Sequence, residues 1–188
     1  MQEVKIHFGT PFAPDKNLAR AYNEFCDLMP DGDWICLTDA DTMWIPSAVD
    51  YHDLMQKAIA EYPDTGLFGC MTNRVGKLYQ CHNNIISKSA DLLYHESVMI
   101  ERAERYGHQC EEVSHISGFM MLFPKNVWKE VGGFDEKHID KQGKVMLEVD
   151  NTFSFMIGIK RPVRVIQGLH IIHYYRLKQG IFDKSHLK

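Results

Sequence analysis

Apolar and polar residues alternate along Val4-Lys5-Ile6-His7-Phe8, the period of a half-buried strand, and Gly9-Thr10-Pro11 ends it. From Leu18 the period changes: Leu18, Tyr22, Phe25 and Leu28 or Met29 recur at helical spacing until Pro30-Asp31-Gly32 stops them. Trp34-Ile35-Cys36-Leu37 is a short, continuous apolar run bounded by turn residues. It reads as a strand buried on both faces, and it ends at Thr38-Asp39-Ala40-Asp41. Pro46 suits a first helical turn, after which Ala48, Tyr51, Met55, Ile59 and Tyr62 line one helix face up to Pro63-Asp64.

Gly66 to Met71 is a second buried-strand candidate, while Asn73 to Lys88 has little periodicity and reads as a hairpin or an ordered loop. Leu92, Met99, Ala103 and Tyr106 predict a further helix. Phe119 to Phe123 predicts an apolar strand, Lys125 to Val131 a short helix, and Gly132-Gly133-Phe134-Asp135 a sharp turn. A helix over Asn151 to Ile157 and two closing strands, Val163 to Ile166 and Leu169 to Tyr175, complete the pattern. Strands and helices in alternation predict an α/β fold, a three-layer α/β/α sandwich with a mostly parallel central sheet. One domain is expected across residues 1–188, with no internal repeat or low-complexity linker. Ligands of such sheets collect at the carboxyl ends of strands, which is where Asp39 and Asp41 fall.

Composition adds mainly exclusions. Hydrophobic residues at 45% and charged residues at 24% are those of an ordinary globular chain able to bury a core. A formal net charge of −4 offers no basic field to nucleic acid or anionic lipid, so neither is expected as a partner. The five cysteines are widely spaced and contain no Cys-x-x-Cys, which fits reduced thiols and a cytoplasmic location. No stretch approaches the roughly 20 apolar residues of a membrane span, and no leader pattern is seen.

Two carboxylates held close together at the end of a buried strand repel one another, and a divalent cation relieves that repulsion. Asp39 and Asp41 are so spaced that, in extended backbone, both point to one side. Oxygen ligands suit Mg²⁺ or Mn²⁺, which can bridge to a diphosphate and neutralise charge developing on it as it leaves. The competing structural reading is that Asp-x-Asp merely caps the turn that follows.

Several blocks in order resemble the GT-A glycosyltransferases, above all the inverting glycosyltransferase family 2, in a short, reduced form. Leu18-Ala19-Arg20-Ala21-Tyr22-Asn23 is similar to that family's arginine-asparagine helix, and Gly32 to Asp41 to its strand running into the Asp-x-Asp metal motif. Ser117-Gly118-Phe119 through Val131-Gly132-Gly133-Phe134-Asp135-Glu136 resembles its acceptor-side strand, short helix and turn, and Glu148-Val149-Asp150 stands where it places a catalytic Glu-Asp pair. The resemblance spans roughly Val4 to Arg176 and is weakest over Asn73 to Gln109.

The resemblance implies a metal-dependent transfer of a sugar from a UDP- or GDP-sugar to a hydroxyl of a glycan, lipid-linked or protein acceptor. Asp41 would hold the metal, Asp39 would contact the ribose or the metal, and Asp150 would deprotonate the acceptor in one inverting displacement. Asp150 is equally placed to cap the helix after it, and Glu148 competes as base. A late histidine often serves such enzymes as a third metal ligand. His170 and His173, three apart on a strand, face opposite ways; His173 is the favoured ligand and His170 its substitute, and a nitrogen ligand tilts the metal towards Mn²⁺. Thr10 and Pro11 fall where the family's nucleotide pocket begins, with Gly9 allowing close backbone approach. Arg20 and Asn23 share a helix face, Arg20 for the diphosphate and Asn23 for the nucleotide or Asp39, against the plain reading of an exposed arginine and a helix-end hydrogen bond. Gly118 would admit a donor or acceptor sugar, or serve only for packing.

The chain departs from the family in having no extra strand and helix between its opening strand and the arginine-asparagine helix, so the base pocket is reduced. Val149-Asp150 replaces the acidic pair, and no Gln-x-x-Arg-Trp of the processive synthases occurs, which favours transfer of a single sugar. Two alternatives remain. A sugar nucleotidyltransferase would need a Gly-rich, basic loop after the first strand, which is missing. A non-catalytic sugar-nucleotide-binding module would keep the fold without the chemistry.

Overall fold

The computed structural model describes residues 4–137 and 149–174. The helices are α1 (Leu18–Leu28), α2 (Tyr51–Glu61), α3 (Leu92–Tyr106), α4 (Lys125–Val131) and α5 (Val149–Gly158). The strands are β1 (Ile6–Gly9), β2 (Trp34–Thr38), β3 (Thr42–Met43), β4 (Leu67–Thr72), β5 (Cys110–Val113), β6 (Met120–Pro124) and β7 (Val163–His173). Among the described residues they form an α/β fold around one seven-stranded sheet in the order β1-β2-β6-β4-β7-β3, with β5 also on β7.

The sheet is mixed, which corrects the expectation of a mostly parallel one. β1 runs parallel to β2 and β4 to β7, whereas β6 is antiparallel to both β2 and β4, and β3 and β5 are antiparallel to β7. The apolar runs misled for a physical reason. Ile35, Leu37, Met121 and Phe123 pack with residues of α1, α4 and α5, while Trp34, Cys36, Met120 and Leu122 pack with residues of α2. A run of apolar residues reports that both faces are covered; it carries no information on strand direction.

Local chemistry sets the boundaries. α1 starts where the Asn17 side chain accepts from Arg20 N, and α2 starts at Tyr51, later than Pro46 suggested, because the Asp50 side chain accepts from Asp53 N. α4 stops at Gly132, whose φ of 85° is left-handed and favours glycine. The two closing strands expected over 163–175 are one strand, β7, kinked where its register against β4 shifts between Cys70 and Met71. The unpatterned stretch over 73–88 contains two short 3-10 turns, Leu78–Gln80 and His82–Asn84. Among the described residues no helix is long and apolar enough to cross a membrane.

Candidate metal centre

β2 carries the chain to the top of the sheet and delivers it into a turn. The expectation of extended backbone at Asp39-Ala40-Asp41 gives way to a tight reversal: Thr42 N and Thr42 Oγ1 both donate to Asp39 O, at 3.1 and 2.8 Å. Asp39 N in turn donates to Phe119 O at 3.0 Å, which ties the turn to the residue before β6. The reversal then feeds β3, where Thr42 pairs in register with His173 at the end of β7, and Tyr174 N donates to Asp41 O at 2.7 Å. The ends of β2 and β7 are thus stapled together, and three side chains converge.

Asp39, Asp41 and His173 each offer a ligand atom within 4.8 Å of the other two. His173 is buried, Asp39 half-buried and Asp41 exposed, so the cluster is rooted in the core and opens to solvent at Asp41. The histidine is aimed from three sides. Its backbone N donates to Asn73 Oδ1 at 2.8 Å, its ring stacks on Phe119 with centroids 5.1 Å apart, and Nδ1 lies 3.1 Å from Arg74 O. A carbonyl oxygen only accepts, so the Nδ1 proton is assigned by its partner. Nε2 then faces Asp41 Oδ1 at 3.3 Å. At that distance Nε2 and the carboxylate can meet through a hydrogen bond from the ring, or can share one cation placed between them.

Electrostatics points the same way. Burial, together with the charge of Asp41, pushes the Asp39 carboxyl up to about 6, against the lowering pull of His173. Asp41 is held below the usual carboxylate range, chiefly by its hydrogen bond to His173. Two carboxylates and an imidazole with its other nitrogen on a backbone carbonyl form a donor set suited to Mn²⁺ or Mg²⁺, with the nitrogen favouring Mn²⁺.

The other sequence candidates fall into two groups. Asp150 is drawn into the site: it sits in the first turn of α5, and its charge is felt by Asp39 and Tyr22. Gly118 meets it directly, with Gly118 N donating to Asp150 Oδ2 at 2.6 Å; a Cβ on Gly118 would stand 2.2 Å from Asp150 Cβ. Gly118 is therefore a packing glycine for Asp150. Thr10 Oγ1 lies 2.9 Å from Thr38 Oγ1, beside the start of the acidic turn, and Pro11 follows it half-buried. Gly9 makes its close approach to the Phe25 ring. Glu148 lies outside the described residues.

Arg20 and Asn23 are engaged elsewhere. Arg20 pairs at the surface with Asp15 at 2.9 Å and Glu24 at 3.5 Å. The Asn23 amide donates to Phe134 O and Glu136 Oε1 and accepts from Phe134 N and Trp128 Nε1, so it clamps the turn after α4 where contact with Asp39 was expected. His170 is buried and stacks on His95, its centroid 5.9 Å away, leaving the site to His173.

Sequence reasoning missed Tyr22, Asn73, Arg74 and Phe119. Tyr22 OH donates to Asp39 Oδ1 at 3.1 Å, yet its spacing marked it only as a core position. Asn73 and Arg74 lie in the stretch with no pattern, and Phe119 is hidden in an apolar run. Phe8, Trp44, Tyr51 and His52 line an open cleft of about 520 Å³. No family model matches the chain, and no curated protein matches it.

Proposed function

We propose that this chain is a metal-dependent glycosyltransferase of the GT-A type, a three-layer α/β/α enzyme that moves one sugar from a UDP- or GDP-sugar to an acceptor hydroxyl with inversion. The observation that carries this reading is the convergence of Asp39, Asp41 and His173, whose Nδ1 lies against Arg74 O and whose Nε2 faces Asp41 with a second carboxylate alongside. Helices on both faces of the sheet and the site's position at the ends of β2 and β7 support the fold assignment.

Asp39, Asp41 and His173 would hold the cation, which when bound neutralises charge on the leaving diphosphate. The exposure of Asp41 leaves the solvent side open to the donor. Asp150, fixed by Gly118 N–H on one oxygen, takes the acceptor proton. The rings of Phe8 and Trp44, 5.8 Å apart beside the end of β1, offer a surface on which a base can stack. The acceptor is a glycan, a lipid-linked sugar or a protein.

Thermal melting with a panel of nucleotide sugars, each with and without Mn²⁺, tests the reading. A donor at about 100 times its Kd should stabilise the fold by about 2.7 kcal/mol, a rise of roughly 5–10 °C in a chain of this size, only when Mn²⁺ is present and not in Asp41→Asn. Sugar release or transfer by the wild type separates an enzyme from a binding module. No stabilisation by any nucleotide sugar with Mn²⁺ would overturn the proposal.

A further inference from the structure

We propose that Tyr22 is a positioning residue of the metal centre: its hydroxyl fixes Asp39 so that the second carboxylate oxygen is presented to the cation. The proposal rests on the reading of Asp39, Asp41 and His173 as metal ligands.

The turn at residues 39–42 fixes the backbone of Asp39 through Phe119 O and Thr42, but two side-chain torsions remain open to rotation. Tyr22 OH donates to Asp39 Oδ1 at 3.1 Å and removes that freedom. The phenol is itself immobile. Tyr22 is 2% exposed, belongs to the core on the α1 face of the sheet, and its ring packs on Phe134 with centroids 5.0 Å apart. Phe134 is held in turn by Asn23, the next residue of α1, which accepts from its N and donates to its O. The dipeptide Tyr22-Asn23 therefore joins the turn after α4 to one ligand of the cluster, and only the hydroxyl makes the last link. Hydrogen-bond partners of metal ligands typically govern affinity by 10–100-fold.

A merely structural hydroxyl would need an acceptor and would find one in Asp39, so the test must read the metal as well as the fold. Mn²⁺ binding to the full chain is titrated by electron paramagnetic resonance for wild type, Tyr22→Phe, Tyr22→Met and Asp41→Asn, with circular dichroism melts alongside. Phe keeps the ring, and Met is a second variant without the hydroxyl should Phe not fold. The expected result is a Kd for Mn²⁺ raised 10–100-fold in the Tyr22 variants, with a native dichroism spectrum retained. In an Asp39→Asn background, Tyr22→Phe should add no further loss. Wild-type affinity in a folded Tyr22 variant, or a loss that is additive with Asp39→Asn, would overturn the role of Tyr22. Absence of saturable Mn²⁺ binding in the wild type, or binding unchanged in Asp41→Asn, would instead overturn the metal centre beneath it.

Discussion

His173 and Asp39 show how single side chains acquire function from their neighbours. Asp39 with its carboxyl pushed up to about 6 from 3.8 binds a proton more tightly folded than unfolded, so its ionised form opposes folding. Without metal, stability should therefore fall as pH rises from about 4 to 6, by about 3 kcal/mol for this group. A cation needs the ionised form, so between pH 7.5 and pH 5 the proton on this group should weaken Mn²⁺ affinity about tenfold and shrink the stabilisation it gives. Melting curves across that range with and without Mn²⁺ check it; a shift independent of pH would contradict it. Asn23 carries a different expectation. Its amide makes four hydrogen bonds, three with Phe134 and Glu136 in the turn after α4 and one with Trp128 in α4 itself, so Asn23→Ala should cost roughly 1–3 kcal/mol in urea unfolding. The nearness of Asp39 to Asp41 was legible in the sequence from their spacing at a strand end; the opposed faces of a strand said only that one of His170 and His173 could join them, and the preference for His173 came from the family resemblance of its place before Tyr174-Tyr175-Arg176. The outer contacts were not: nothing in the residue types of Asn73 or Arg74 announces that their amide oxygen and carbonyl grip a histidine a hundred residues away.

At the scale of elements, the site exists because short pieces meet. β3 is two residues long, yet its pairing with β7 brings Asp41 to His173. No periodicity marks so short a strand, and β5 was equally hidden because Glu111 and Glu112 interrupt its apolar pattern at the sheet margin. The long elements were readable, since α1, β2, β4, α3, β6 and α4 each bury a face whose period survives in sequence. Strand direction was not, because it depends on partners far along the chain. The contact between α5 and the start of β6 gives an element-scale expectation. Gly118→Ala drives a methyl into Asp150, so it should displace α5, lower stability by about 1–3 kcal/mol and cut sugar transfer at least tenfold. Denaturant melts and a transfer assay measure the two effects; an unchanged rate would remove Asp150 from the reaction.

Taken together, the described residues form an α/β fold on a mixed sheet, and their thiols report on its packing. Cys26, Cys36, Cys70 and Cys81 are buried and Cys110 half-buried, with burial pushing Cys26 and Cys110 up to about 12. Native protein at pH 8 should therefore react slowly and at no more than Cys110 with a thiol reagent, and with all five cysteines once unfolded. Rapid native labelling of several thiols would contradict the fold. The α/β class was legible from alternating periods, whereas the convergence of the site came only from seeing the turn after β2 meet the end of β7 through β3.

The cation is the centre of the account, and anomalous diffraction from crystals soaked in Mn²⁺ tests it most directly. The expected result is one peak bounded by an oxygen of Asp39, an oxygen of Asp41 and Nε2 of His173, at roughly 2.0–2.3 Å from each. A soaked crystal with no anomalous density between these three side chains would contradict it.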